Sequence, residues 1–141
     1  MNPRVRALGE TVLRVKDLEA VKRFYTDIVG LDILREFDRI AFLKVSDGYG
    51  GHTQIIGLFY ESLRVPFPKD PHEPVHLEQT SLHHFALEID KNDFEGELNR
   101  LRTLGVEVTT FEHRWCHWRS LYVRDPEGNI LELVCYDESI H

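Results

Sequence analysis

A glutamate inside an apolar run is the first residue of this chain that could do chemistry. In the stretch 120–136, SLYVRDPEGNILELVCY, Glu132 stands among Ile130, Leu131, Leu133, Val134 and Cys135, the composition of a strand buried on both faces. A carboxylate there is costly unless an arginine pairs with it or a metal binds it. Glu10 in ETVLRV and His84 in HHFALEID are two further metal-capable side chains, each near the start of a strand-like run. Upstream of Glu132, HRWCHWR (113–119) sets His113 and His117 beside Trp115, Trp118 and two arginines. Aromatic and cationic side chains together suit a planar or anionic small molecule, and equally a contact between chains. Cys116 reads as an ordinary thiol, because no base is spaced to activate it.

The elements that must position these residues occur twice. ETVLRV (10–15) alternates, with Thr11, Leu13 and Val15 on one face and Glu10, Val12 and Arg14 on the other. A helical stripe of Leu18, Val21, Phe24, Tyr25 and Ile28 follows, with Asp17 as N-cap and Gly30 as stop. Strands are then predicted at about 32–37, 40–45 and 54–60. The second half repeats the order. HHFALEID (83–90) puts Phe85, Leu87 and Ile89 opposite His84, Ala86 and Glu88. NDFEGELNRLRTLG reads as a helix with Asn92 and Glu95 in capping-box spacing and Gly105 as its stop. Strands at about 106–111, 118–124 and 130–136 complete it. Aligned without gaps, Glu10 falls against His84, Leu13 against Leu87 and Val15 against Ile89, so a strand-helix-strand-strand-strand unit is written twice.

This predicts an α+β chain of two βαβββ modules, about 8–60 and 83–138, within a single domain over 1–141. The connector, 61–82, carries Pro66, Pro68, Pro71 and Pro74, a density that forbids helix and central strand. If each first strand packs its apolar face on the following helix, Glu10 and His84 point to the opposite side. Together with Glu132 they could face one cleft. The competing reading pairs Glu10 with Arg14, and Glu132 with Arg124 or Arg119. His83, of the other parity, is expected to be structural.

Composition narrows the partners. A net charge of −7 argues against nucleic acid, since binding phosphates needs a basic surface. Neither an apolar leader nor a run of membrane-spanning length is found, and two cysteines make no disulfide framework or zinc pattern. A cytoplasmic location is the expectation, with no membrane partner.

From ETVLRVKDLEAVKRFYTDIVGL to SLYVRDPEGNILELV the chain resembles the vicinal oxygen chelate superfamily: glyoxalase I, type I extradiol dioxygenases, fosfomycin-resistance thiol transferases and bleomycin-resistance proteins. The resemblance implies an open, cup-shaped mixed sheet with helices on the outer face. It also implies a divalent metal held by Glu10, His84 and Glu132. Glu10 departs from the usual histidine at its position, and the place of a fourth ligand falls on Thr53, between His52 and Gln54. The stretch 113–132 is similar to the extradiol dioxygenase signature through His113, Leu121, Tyr122, Asp125, Pro126, Gly128 and Glu132, with Thr110 where a glycine is usual.

On that resemblance the chain is expected to be a metal-dependent enzyme acting on a small oxygenated molecule, closest to the ring-cleaving dioxygenases. Tyr122 would hydrogen-bond the substrate and His113 would move protons, with Trp115, His117 and Trp118 on the substrate side. One histidine with two carboxylates favours Fe(II) or Mn; Zn or Ni would go with a glyoxalase-I-like lyase or isomerase. A metal-free binding protein like those of bleomycin resistance is the third reading, since Glu10 replaces the usual histidine. A homodimer is expected.

Overall fold

The computed structural model describes residues 4–63 and 82–141. The chain forms two compact units, Met1–His76 and Leu77–His141. Most of the proline-rich connector lies outside the described residues.

In the first unit, β1 (Glu10–Val15) buries Leu13 and Val15 and exposes Val12, as its alternation requires. Asp17 caps α1 (Leu18–Arg23) by accepting from the Ala20 N–H at 3.0 Å. Beyond Arg23 the expected single α-helix becomes a π-helical turn, Phe24–Ile28, in which the Val29 and Gly30 N–H groups donate to Phe24 and Tyr25 carbonyls at 3.0 and 3.1 Å. The wider turn brings both Phe24 and Tyr25 into the core, with rings edge-to-face at 5.1 Å. Gly30 ends it at φ 94°.

The strands β2 (Asp32–Phe37), β3 (Ile40–Asp47) and β4 (Thr53–Tyr60) complete a sheet of order β1-β4-β3-β2, with β1 parallel to β4 and the other pairs antiparallel. Register sets Glu10 against Ile55 and Val12 against Gly57, so Glu10 shares a face with Thr53, Ile55, Gly57 and Phe59. Leu13, Val15, Ile56, Leu58, Ala41 and Leu43 make the buried face.

The second unit repeats this order. It comprises β5 (Phe85–Glu88), α2 (Phe94–Thr103), β6 (Thr109–His113), β7 (Trp118–Arg124) and β8 (Ile130–Tyr136), with sheet order β5-β8-β7-β6. Leu121, Val123, Leu131 and Leu133 are buried, as are Phe94, Leu98 and Leu101 on the inner stripe of α2. The modular α+β fold therefore stands as the repeat predicts. Leu121 has no exposed surface. Leu121→Ala is expected to cost about 2–5 kcal/mol, read as a lower denaturant midpoint at unchanged slope.

Two boundaries differ from the sequence reading. The Asn92 capping box does not form: a 3-10 turn, Lys91–Asp93, precedes the helix, whose N-cap is Asp93 with no side-chain cap bond. The sixth strand starts at Thr109 rather than 106, because the Val106 N–H still serves the helix, donating to Leu101 O at 3.0 Å. Among the described residues no helix is long and apolar enough to cross a membrane.

Candidate functional site

Pairing register assembles one polar group on the second sheet. Ala86 and Tyr122 both lie opposite Glu132, so the face of Glu132 is that of Tyr122, Ser120 and Trp118, and across β6 that of Thr109, Phe111 and His113. His84 stands just before β5 and its ring meets that of Tyr122 edge-on at 6.0 Å. The tight turn after β7 sets where β8 begins: the buried Asp125 carboxylate accepts from the Glu127 and Asn129 N–H groups, each at 2.9 Å, and Gly128 takes φ 83°. Asp125 is thus structural, as a turn composition implies.

Glu132 is 3% exposed. Its neighbours are His113, with Nε2 3.6 Å from Oε1, and Tyr122, whose hydroxyl lies 2.7 Å from the same Nε2. Neither expected arginine reaches it. Arg119 pairs with Asp137 at 3.2 Å and Glu95 at 3.6 Å, and Arg124 donates to the Gly128 carbonyl at 3.3 Å. The ion-pair explanation of Glu132 therefore fails, because side-chain parity sends Arg119 to the helix side of the sheet and Arg124 to the turn. A buried carboxylate that pairs with no lysine or arginine among the described residues, beside the His113 imidazole, fits a hard divalent cation by its donor chemistry. Among the described residues, however, no three His, Cys, Asp or Glu side chains are gathered as a metal would need them.

Burial, then the hydrogen bond and charge of Glu132, push the Tyr122 hydroxyl up to about 12 from the ordinary 10.0, while Ser120 pulls weakly the other way. The phenol is therefore neutral and a donor throughout the physiological range. A raised phenol pKa favours the neutral form in the fold. Its stabilisation is complete below pH 10 and lost as pH rises towards 12. Tyr122→Phe is expected to remove one late transition from the tyrosinate absorbance.

The other residues singled out in the sequence fall less uniformly. His83 is exposed and its Nδ1 lies 2.8 Å from that of His84. Trp118 stands on the Tyr122 face and Trp115 projects from a 3-10 turn, 85% exposed. His117 adopts φ 60° on that turn, with Nδ1 bonded to the Ile140 carbonyl and its own carbonyl accepting from Asp137 N–H at 2.7 Å. Its ring thus anchors the C-terminal segment. Cys116 and Cys135 are free, and burial pushes the Cys135 thiol up.

In the first unit, Glu10 is exposed and has no ion pair among the described residues. It lies over Gly57: a Cβ there would come within 3.0 Å of its Oε1, so the missing side chain makes room for the carboxylate. Strand parity gives Thr53 the face of Glu10, and Gln54 accepts from Ser46 Oγ at 2.9 Å. Sequence reasoning missed an aromatic set, Phe37, Phe42 and Phe59, with ring centroids 6.2 and 6.0 Å apart and Arg35 over Phe37 at 4.9 Å. It also missed Phe111, whose ring lies 4.9 Å from that of His113. Strand parity is the available signal for both.

Two βαβββ modules with this polar face define the class, and the chain belongs to the Glyoxalase/Bleomycin resistance protein/Dioxygenase superfamily, whose family model matches residues 7–133. Catechol-2,3-dioxygenase of Bacillus subtilis is 27% identical over 127 residues, 89% of this chain but only 40% of that protein. Glutathione transferase FosA of Serratia marcescens is 26% identical over 92% of this chain and 80% of its own length. The crystal structure of lactoylglutathione lyase from Agrobacterium tumefaciens, 28% identical, superposes with a TM-score of 0.69 over 94% of this chain and 95% of that one.

Proposed function

We propose that this protein is a metal-dependent enzyme that opens the ring of a small catechol-like molecule, with dioxygen as co-substrate. The observation carrying this reading is the 2.7 Å contact of His113 Nε2 with the Tyr122 hydroxyl beside buried Glu132, three residues that the ring-cleavage signature spaces. The similarity to a catechol-2,3-dioxygenase over 89% of the chain supports it. The ligands we assign in the second module are His84 and Glu132, and Glu10, at the corresponding place in the first module's β1, is the further carboxylate that the family resemblance implies; such donors favour Fe(II) or Mn. When bound, such a cation supplies a Lewis acid for two adjacent substrate oxygens.

Tyr122, neutral at physiological pH, donates a hydrogen bond to a substrate oxygen. His113 Nε2 accepts a proton from the substrate hydroxyl and returns it to the product. Phe111 holds the His113 ring, and Trp118 and Trp115 offer flat surface at the rim. His117 sets the turn that carries both tryptophans. We assign the working form as a homodimer of cytoplasmic chains.

The test is anaerobic loading of the full chain with Fe(II), followed by air and a panel of catechols. Coloured ring-opened products are expected. No turnover by the loaded protein overturns ring cleavage. A second reading, a glyoxalase-I-like lyase or isomerase, is supported by the similarity to a lactoylglutathione lyase structure, 28% identical over 94% of this chain. It predicts turnover of methylglyoxal–thiol adducts with Zn or Ni. Failure of every metal, with tight binding of a cationic drug, would leave metal-free sequestration.

A further inference from the structure

The first unit contains a cavity of about 360 Å3 formed by the segment before β1 and the loop between β3 and β4. Arg4, Arg6, His52 and Gln54 supply its polar wall; Leu8 and Tyr49 supply an apolar one. Among the described residues no carboxylate lines it. That is unusual in a chain of net charge −7, where lysines and arginines are outnumbered 17 to 24 by acids. Several cations elsewhere face a carboxylate: Lys22 with Glu19 and Glu36, Lys44 with Asp47, Arg100 with Glu97, Arg119 with Asp137. Arg4 and Arg6 make no ion pair with any described residue.

Backbone bonds tie both segments near the cavity. Gly9 O accepts from Ile55 N–H at 3.1 Å, tying the arginine-bearing segment to β4. On the loop side, Gly48 N–H donates to His52 O at 2.7 Å and His52 N–H to Tyr49 O at 3.2 Å. Tyr49 is 63% exposed and Leu8 69%, an apolar surface left open beside the two guanidinium groups.

We propose that this cavity is a binding site for a small planar organic anion: an aromatic ring carrying a phosphate or carboxylate. Guanidinium groups match either oxyanion through paired N–H donors, and a carboxylate-free wall lets them do so without competition. Tyr49 and Leu8 take the ring, and the volume lies within the range of small-ligand pockets. Glu10, His84 and Glu132 do not line this cavity, and the proposal does not rest on a metal.

Calorimetric titration of the full chain with phenyl phosphate tests it. Saturable binding of one molecule per chain is expected, weakened about tenfold or more in Arg4→Ala/Arg6→Ala and several-fold in Tyr49→Ala. Phenol alone and inorganic phosphate alone should each bind at least about tenfold more weakly, because each uses one wall. Glu132→Ala should leave the affinity unchanged. Both arginines are exposed, so their removal spares the fold, and circular dichroism of the double variant checks that. The proposal is overturned if phenyl phosphate does not saturate, if the arginine variant binds it equally well, or if binding disappears with Glu132.

Discussion

Glu132→Ala is expected to reduce bound Fe or Mn from about one equivalent per chain to a trace, and turnover by about a thousandfold or more. Glu132→Gln separates this from a structural role, because the amide keeps shape and acceptor but loses the charge. Glu132 is 3% exposed and meets no lysine or arginine among the described residues, so without metal the fold bears the cost of a buried carboxylate. Metal-free Glu132→Gln is therefore expected to be more stable than metal-free wild type, by about 1–2 kcal/mol. Adding Mn should reverse the order. At a hundredfold excess over Kd, wild type gains about 2.7 kcal/mol by mass action and the variant gains nothing. If metal-free Glu132→Gln is instead the less stable, His113 and Tyr122 already satisfy the carboxylate, and the group is a structural triad with no need of metal.

That glutamate is legible from the sequence for a simple reason: a carboxylate contradicts an apolar strand, and contradictions between local pattern and side chain mark sites. Which residues of the neighbouring strand share its face is set by register, which puts Tyr122 opposite it and Ser120 on the same side. Its partners are harder to read. Arg119 and Arg124 are near in sequence, but parity and the Asp125 turn divert both, whereas His113 comes from a strand whose limits the apolar pattern misplaces. Val106 and Val108 resemble strand residues, yet the first still closes the helix, so β6 slides to end on His113 rather than Phe111. The aromatic set beside Arg35 is hidden for a related reason, since cross-strand neighbours depend on register and Ile33–Arg35 carries a bulge. The π-turn at Phe24–Ile28 has no sequence signature of its own and shows only in backbone bonding.

Tyr122→Phe and His113→Ala are expected to lower kcat by about 10²–10⁴ while leaving metal content and KM nearly unchanged. The reason lies in geometry. Phenylalanine keeps the ring that meets His84 at 6.0 Å and removes only the hydroxyl, so His84, our proposed ligand, stays in place while the proposed substrate loses its donor. His113 is held by Phe111 on one side and Tyr122 on the other, and its Nε2 is the nitrogen within reach of both the phenol and Glu132. Because the two share one hydrogen bond, their effects should not add: the double variant is expected to be about as slow as the slower single one. An additive double variant would mean that they act on different atoms of the substrate. Loss of metal in Tyr122→Phe would instead mean that the phenol steers His84 or Glu132, and its place in proton transfer would pass to His113 alone.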